Sequence, residues 1–166
     1  IGEVATLLYK FKESRHNLIT ENVGEGFIRA LYSTWLSYFS PEQFSYNVPS
    51  YVDTRGTFCE MLKTKSAGQF SYFTAHPGVT RGGHYHHTKN EKFLVMSGSA
   101  LFKFRNIITD EYFELKVDSS DFKIVETIPG WSHDITNCGD SELVVMLWAN
   151  EIFDREKTDT IARSLS

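Results

Sequence analysis

Apolar residues at Ile1, Val4, Leu7, Leu8 and Phe11 recur at three- and four-residue spacing, which places them along one face of a helix. Phe27, Ile28, Leu31, Tyr32, Trp35, Leu36 and Phe39 repeat the pattern and predict a second helix. It stops before Ser40-Pro41, because proline cannot continue it. The two helices either cover one another or present apolar faces to a partner. From about Phe44 the period becomes alternating, and strands are predicted at 57–63, 68–76, 82–87, 91–97, 99–106, 111–118, 122–126, 132–138 and 142–150. In Ala100–Arg105, Phe102 and Phe104 share one face while Lys103 and Arg105 share the other, as in a sheet with one dry and one wet side. Ser97-Gly98, Thr109-Asp110 and Cys138-Gly139-Asp140 supply turns between runs. The expectation is a mainly β chain preceded by short helices.

Composition narrows the function. With 166 residues, 41% of them hydrophobic, the chain has material for one full domain and part of another. A net charge of -4 provides no bulk attraction to nucleic acid or to an anionic membrane, so neither is expected as a partner. Cys59 and Cys138 are the only cysteines and lack CxxC spacing, which argues against a disulfide framework or a zinc-thiolate site and fits a reducing cytoplasm. No apolar run approaches the ~20 residues of a membrane helix, and no signal peptide is evident.

Candidate chemistry is concentrated in Gly78–Gly98, GVTRGGHYHHTKNEKFLVMSG. Alternate residues of a strand project to the same side, so His84 and His86 point together, while His87 faces away. Glu91 adds a carboxylate from the next strand after a turn at 88–90. Nitrogen and oxygen donors of this kind suit divalent zinc, iron, manganese or nickel. The fourth ligand is expected to be His133, delivered by the Pro-Gly turn of IPGWSHDITN at 128–137. His16 and His76 have no such partners and read as ordinary histidines.

These two stretches resemble the signature motifs of the cupins. The pattern G-x5-H-x-H-x4-E-x6-G is matched at every fixed position from Gly78 to Gly98. The second, G-x-x-H-x3-N, is kept by Gly130, His133 and Asn137, with Pro129 directly before the glycine and the usual leading glycine missing. The resemblance implies an antiparallel double-sheet barrel of the jelly-roll class holding a divalent metal, with zinc favoured.

A closer resemblance joins the barrel to its flanks. LYSTWLSYFSPEQFSY at 31–46, DTRGTFCEMLKT at 53–64, AGQFSY at 67–72, GGHYHHTKNEKFLVMSG at 82–98 and VVMLWANEIFD at 144–154 look like the carboxyl-terminal part of the capsule-sugar enzymes called CapF or WbjC. In that family a short-chain reductase domain precedes a cupin. The implied division is 1–42 as the helical tail of a reductase domain absent here and 43–166 as the cupin, with NADPH belonging to the absent domain alone. The implied activity is epimerisation at carbon 3 of a UDP-linked 4-keto-6-deoxy-N-acetylhexosamine, on the way to UDP-N-acetyl-L-fucosamine. A non-catalytic sugar-binding or dimerisation module is the alternative, and an iron-dependent oxygenase, resting on fold alone, is a third. A homodimer is expected, because such barrels leave apolar sheet surface and strand edges that pair.

A fainter resemblance places the substrate. Asp53–Glu60, Gln69 and Arg81–Tyr85 are similar to the DxRGxFxE, FxQ and RGxHY motifs of the metal-free 3,5-epimerases of the rhamnose pathway, the RmlC-like cupins. On that pattern Arg55 and Arg81 contact the diphosphate, and Glu60 and Gln69 hydrogen-bond the base or sugar. The histidine that serves as base in those enzymes aligns with His84, which is committed to metal here. The base is therefore expected to be Lys89, with Lys92 the second candidate.

Overall fold

The computed structural model describes residues 2–165. Helix α1 (Gly2–Asn17) and helix α2 (Gly26–Ser37) follow the predicted periods, although Ile1, the first apolar position of that pattern, lies outside the described residues. The helices cover one another, as the first alternative expected. Phe11 is buried and meets Tyr32 edge-on at 5.0 Å between ring centroids, while Trp35 sits 5.8 Å away. Phe27, Leu36 and Tyr38 nevertheless remain exposed. Buried Leu18 ends α1, and its carbonyl accepts the Lys63 amide. This ties the helices to the barrel edge.

The described residues contain twelve strands, β1 (Ile19–Thr20) between the helices and, after them, β2 (Ser50–Asp53), β3 (Gly56–Thr64), β4 (Gly68–Ala75), β5 (Thr80–Tyr85), β6 (Glu91–Ser97), β7 (Ser99–Asn106), β8 (Tyr112–Asp118), β9 (Ile124–Glu126), β10 (Trp131–Asn137), β11 (Leu143–Ala149) and β12 (Ile161–Ala162). They form two sheets, a seven-stranded one ordered β1-β3-β4-β11-β6-β9 with β2 also on β3, and a five-stranded one ordered β12-β5-β10-β7-β8. Apart from the parallel β1–β3 pair, all pairings are antiparallel.

The inward residues of both sheets make one core. Ala100, Phe102 and Phe104 of β7 are buried in strict alternation with Ile135 beside Phe102, and Phe73, Phe93 and Val145 of the other sheet complete the core. All nine predicted strands are present, but β1, β2 and β12 were not expected. Two strands differ from expectation by more than one residue at a bound. The strand predicted at 122–126 starts at Ile124, because a 3-10 turn at Ser119–Asp121 ends on Phe122 in the left-handed region. The strand predicted at 82–87 ends at Tyr85, so His86 belongs to the connection between the sheets.

Candidate metal centre

Each sheet contributes to the ligand set. His84 on β5 stands directly opposite His133 on β10. The ladder is irregular just after His133, and Gly82 lies against that point with φ 102°. A Cβ on Gly82 would sit 2.8 Å from the His133 carbonyl oxygen, so the close approach of the two strands requires glycine. Glu91 opens β6 in the other sheet, opposite Ala149, and its amide donates to the Thr127 hydroxyl at 2.9 Å. His86 reaches across between the sheets, its carbonyl accepting the Gly130 amide at 3.0 Å. The two motifs are thereby joined.

The four side chains converge. One ligand atom from each of His84, His86, Glu91 and His133 lies within 4.8 Å of the others. Glu91 Oε2 is 3.2 Å from His86 Nε2 and 3.5 Å from His133 Nε2. His84 and His133 have ring centroids 4.7 Å apart. His86, Glu91 and His133 are buried. His86 Nδ1 makes a short contact with the Asp159 carbonyl oxygen, which leaves Nε2 directed at the cluster. His87 is exposed and stacks edge-on with Tyr85, as its parity predicted. Three imidazole nitrogens and one carboxylate oxygen, three of the four side chains buried and His84 partly so, fit a divalent cation.

Electrostatics favour the metal-ready protonation state. Burial alone would raise the Glu91 carboxyl, but the His133 and His86 rings against it, with the nearby Lys89 ammonium, hold it well below the usual carboxylate range. Burial, followed by the neighbouring His133 and His86, pushes His84 down to about 4. An unfolded histidine titrates near ~6.5, so between these values the unfolded chain binds a proton that the fold excludes. Stability of the metal-free protein should fall as pH drops through that window, by up to about 3 kcal/mol. Urea titrations of chelator-treated protein at pH 7 and 4.5 test this; an unchanged midpoint would count against it.

A cavity of about 200 Å³ opens beside the cluster, lined by His84, Glu91, His133, Arg55, Arg81 and the apolar wall of Phe73, Phe93, Ile135 and Leu147. Arg81 Nε donates to the Thr74 carbonyl at 2.9 Å, and its guanidinium lies over the Phe73 ring. Its Nη2 is buried without a hydrogen-bond partner among the described residues. Burial, then the adjacent Arg55, pulls the Arg81 pKa down from its ordinary value. Arg55 grips Asp53 through Nε at 3.0 Å and Nη2 at 2.6 Å. One carboxylate thus stands beside two guanidiniums, and the mouth keeps a net positive charge.

The remaining candidates divide. Gln69 is buried, donates to Ser71 Oγ at 2.9 Å and accepts the Phe153 amide at 3.1 Å. Glu60 pairs with Lys63 at 2.7 Å and accepts from Gln69 at 3.4 Å. Both are engaged with protein groups, and neither lines the cavity. Lys89 is buried with Nζ 2.9 Å from Glu91 Oε1 and 5.8 Å from the Phe153 ring centroid, so it reaches the cluster through a ligand. Lys92 is not brought to the site. It lies on the outer face of β6, paired with Glu126, because it has the opposite parity to Glu91. Asn137, kept from the second motif, is buried and donates to the carbonyls of Ala75 and Ser141, which sets the turn after β10. Asp159 was not foreseen; it lies in a polar stretch without periodicity.

Two antiparallel sheets closing on three histidines and a glutamate at this spacing make the chain a cupin. Residues 51–161 match the family described as polysaccharide biosynthesis C-terminal domain, and the chain belongs to that family. It is 61% identical over 165 residues to the UDP-2-acetamido-2,6-beta-L-arabino-hexul-4-ose reductase of Pseudomonas aeruginosa, covering 99% of this chain and 44% of that protein. The capsular polysaccharide assembling protein CapF from Staphylococcus aureus superposes with a TM-score of 0.94 at 43% identity, over 98% of this chain and 44% of CapF. CapF in complex with the inhibitor 3-isopropenyl-tropolone gives the same TM-score and identity, over 98% of this chain and 47% of that one. The chain therefore spans less than half the length of these relatives. A Bacillus subtilis oxalate decarboxylase variant, 15% identical with a TM-score of 0.57 over 70% of this chain and 30% of that one, shares the fold alone.

Proposed function

We propose that this cupin epimerises carbon 3 of a UDP-linked 4-keto-6-deoxy-N-acetylhexosamine in capsule or O-antigen sugar synthesis, with ketone reduction falling to a reductase domain outside this chain. The observation that carries the reading is the meeting, around one cavity, of the ligand cluster with Arg55 and Arg81. The 61% identical relative is named for a hexul-4-ose bound to UDP, a ketone at the position this chemistry needs. A hydrogen on the carbon beside a ketone becomes acidic only when charge developing on the oxygen is stabilised. A divalent ion held by His84, His86, Glu91 and His133, zinc by preference for this donor set, would supply that stabilisation. Arg55 and Arg81 are suited to pair with the diphosphate, their planar donors matching phosphate oxygens, and the Phe73 wall sets the sugar between charge and cluster. Lys89 is our candidate to move the proton, as the nearest amine to the cluster.

The test is wash-in of solvent deuterium at carbon 3 of the UDP-4-keto sugar. Metal-loaded protein should exchange it, and chelated protein should not. Lys89→Met should abolish exchange while metal content stays intact, because the bound ion takes over neutralisation of Glu91. Full exchange in that variant would place the base elsewhere. One observation favours the second reading, a binding or dimerisation module without chemistry: Lys89 Nζ is tied to Glu91 and does not line the cavity. No exchange from protein carrying its full metal complement would establish that reading instead.

A further inference from the structure

We infer that Asp159 is a positioning residue for the metal centre, and that the segment after β11 works as a clasp on the ligand loop. The inference rests on the metal-binding part of the function proposed above. Asp159 stands far along the chain from the motif, yet one residue engages four consecutive positions of the loop. Its carboxylate accepts the amides of His87 at 2.9 Å, Thr88 at 2.6 Å and Lys89 at 2.8 Å, and the Thr88 hydroxyl at 3.0 Å. Its backbone carbonyl faces His86 Nδ1.

These contacts do two jobs. The carbonyl holds the His86 proton on Nδ1, which fixes the tautomer that presents Nε2 to a metal. The carboxylate satisfies three successive backbone donors at a sharp connection, where they would otherwise turn outward to water. That connection sets the spacing between His86 and Glu91 and carries Lys89 between them. The tail is independently anchored just beyond. Ala162 of β12 pairs opposite His84, the Arg163 amide donates to the Gly83 carbonyl at 2.8 Å, and the Ser132 hydroxyl donates to the Arg163 carbonyl at 2.5 Å. The tail therefore supports one ligand through a strand edge and another through Asp159.

A side chain that only stabilises the fold would change the unfolding midpoint and leave the ligand geometry alone. A positioning residue changes the metal. The probe is cobalt(II) in place of the native ion, read by its visible d–d absorption and by its release rate into excess chelator. Asp159→Ala should shift the cobalt band and speed release by at least tenfold, within the ~10–100-fold that outer partners of ligands contribute. Both variants keep the backbone carbonyl; Asp159→Asn also keeps one acceptor oxygen and should fall between wild type and Asp159→Ala. A cobalt band at the wild-type position, or less than tenfold faster release from folded Asp159→Ala, overturns the inference. Should Asp159→Ala fail to fold by circular dichroism, the same two criteria pass to Asp159→Asn. Wild-type protein that takes up no cobalt at all would overturn the metal reading itself, an outcome distinct from a variant that binds cobalt as wild type does.

Discussion

Glu91→Gln will destabilise the metal-free protein by about 3–5 kcal/mol, the cost of breaking a buried ion pair from one side. Glu91 and Lys89 are 7% and 8% exposed, and their charged groups meet at 2.9 Å. With the carboxylate gone, the Lys89 ammonium keeps the Phe153 ring, a weak replacement at 5.8 Å. The ammonium must then stay buried without its partner or give up its proton, and either route carries that cost. Urea denaturation of chelator-treated protein measures it. The double variant Glu91→Leu with Lys89→Met should recover most of the loss, since an apolar pair of similar volume needs no desolvated charge. A single variant within 1 kcal/mol of wild type would show that water reaches the pair.

His133→Ala will weaken metal binding about a hundredfold or more while leaving the barrel folded. His133 is 3% exposed and is held on both sides, by Phe104 of β7 and His84 of β5 in the ladders. Its Nδ1 has no hydrogen-bond partner among the described residues, so truncation orphans no donor or acceptor on that side. A complete four-ligand site is worth roughly 10–16 kcal/mol for zinc; a quarter of that, about 3 kcal/mol, is about a hundredfold in affinity. Competition against a chromophoric chelator reads the change directly. Affinity within tenfold of wild type would mean that His84, His86 and Glu91 hold the ion without it.

The meeting of the four side chains was legible because its determinants are local. His84, His86 and Glu91 fall within eight consecutive positions, and strand parity with one turn is enough to aim them. The same parity placed Phe102 and Phe104 in the core, and it also explains why Lys92 ends on the outer face beside Glu126. What escaped depends on long-range or irregular geometry. β2 is exposed at all four residues and β12 is two residues long, so neither carries an alternating signal. Glu60 and Lys63 would take opposite faces of a regular strand. A register shift between Glu60 and Leu62 puts them together, and no local pattern announces it. Asp159 lies in a run of polar residues that reads as loop, and its role exists only because the chain doubles back across the barrel mouth.

The placement of the ligands on different layers has a mechanical side. His84 and His133 belong to the five-stranded sheet, Glu91 to the seven-stranded one, and His86 to the span between them. The two sheets cannot part at that end without pulling the four donor groups away from their common point. An ion seated there would act as a rivet through both layers, letting the barrel mouth gape only as far as its coordination bonds stretch.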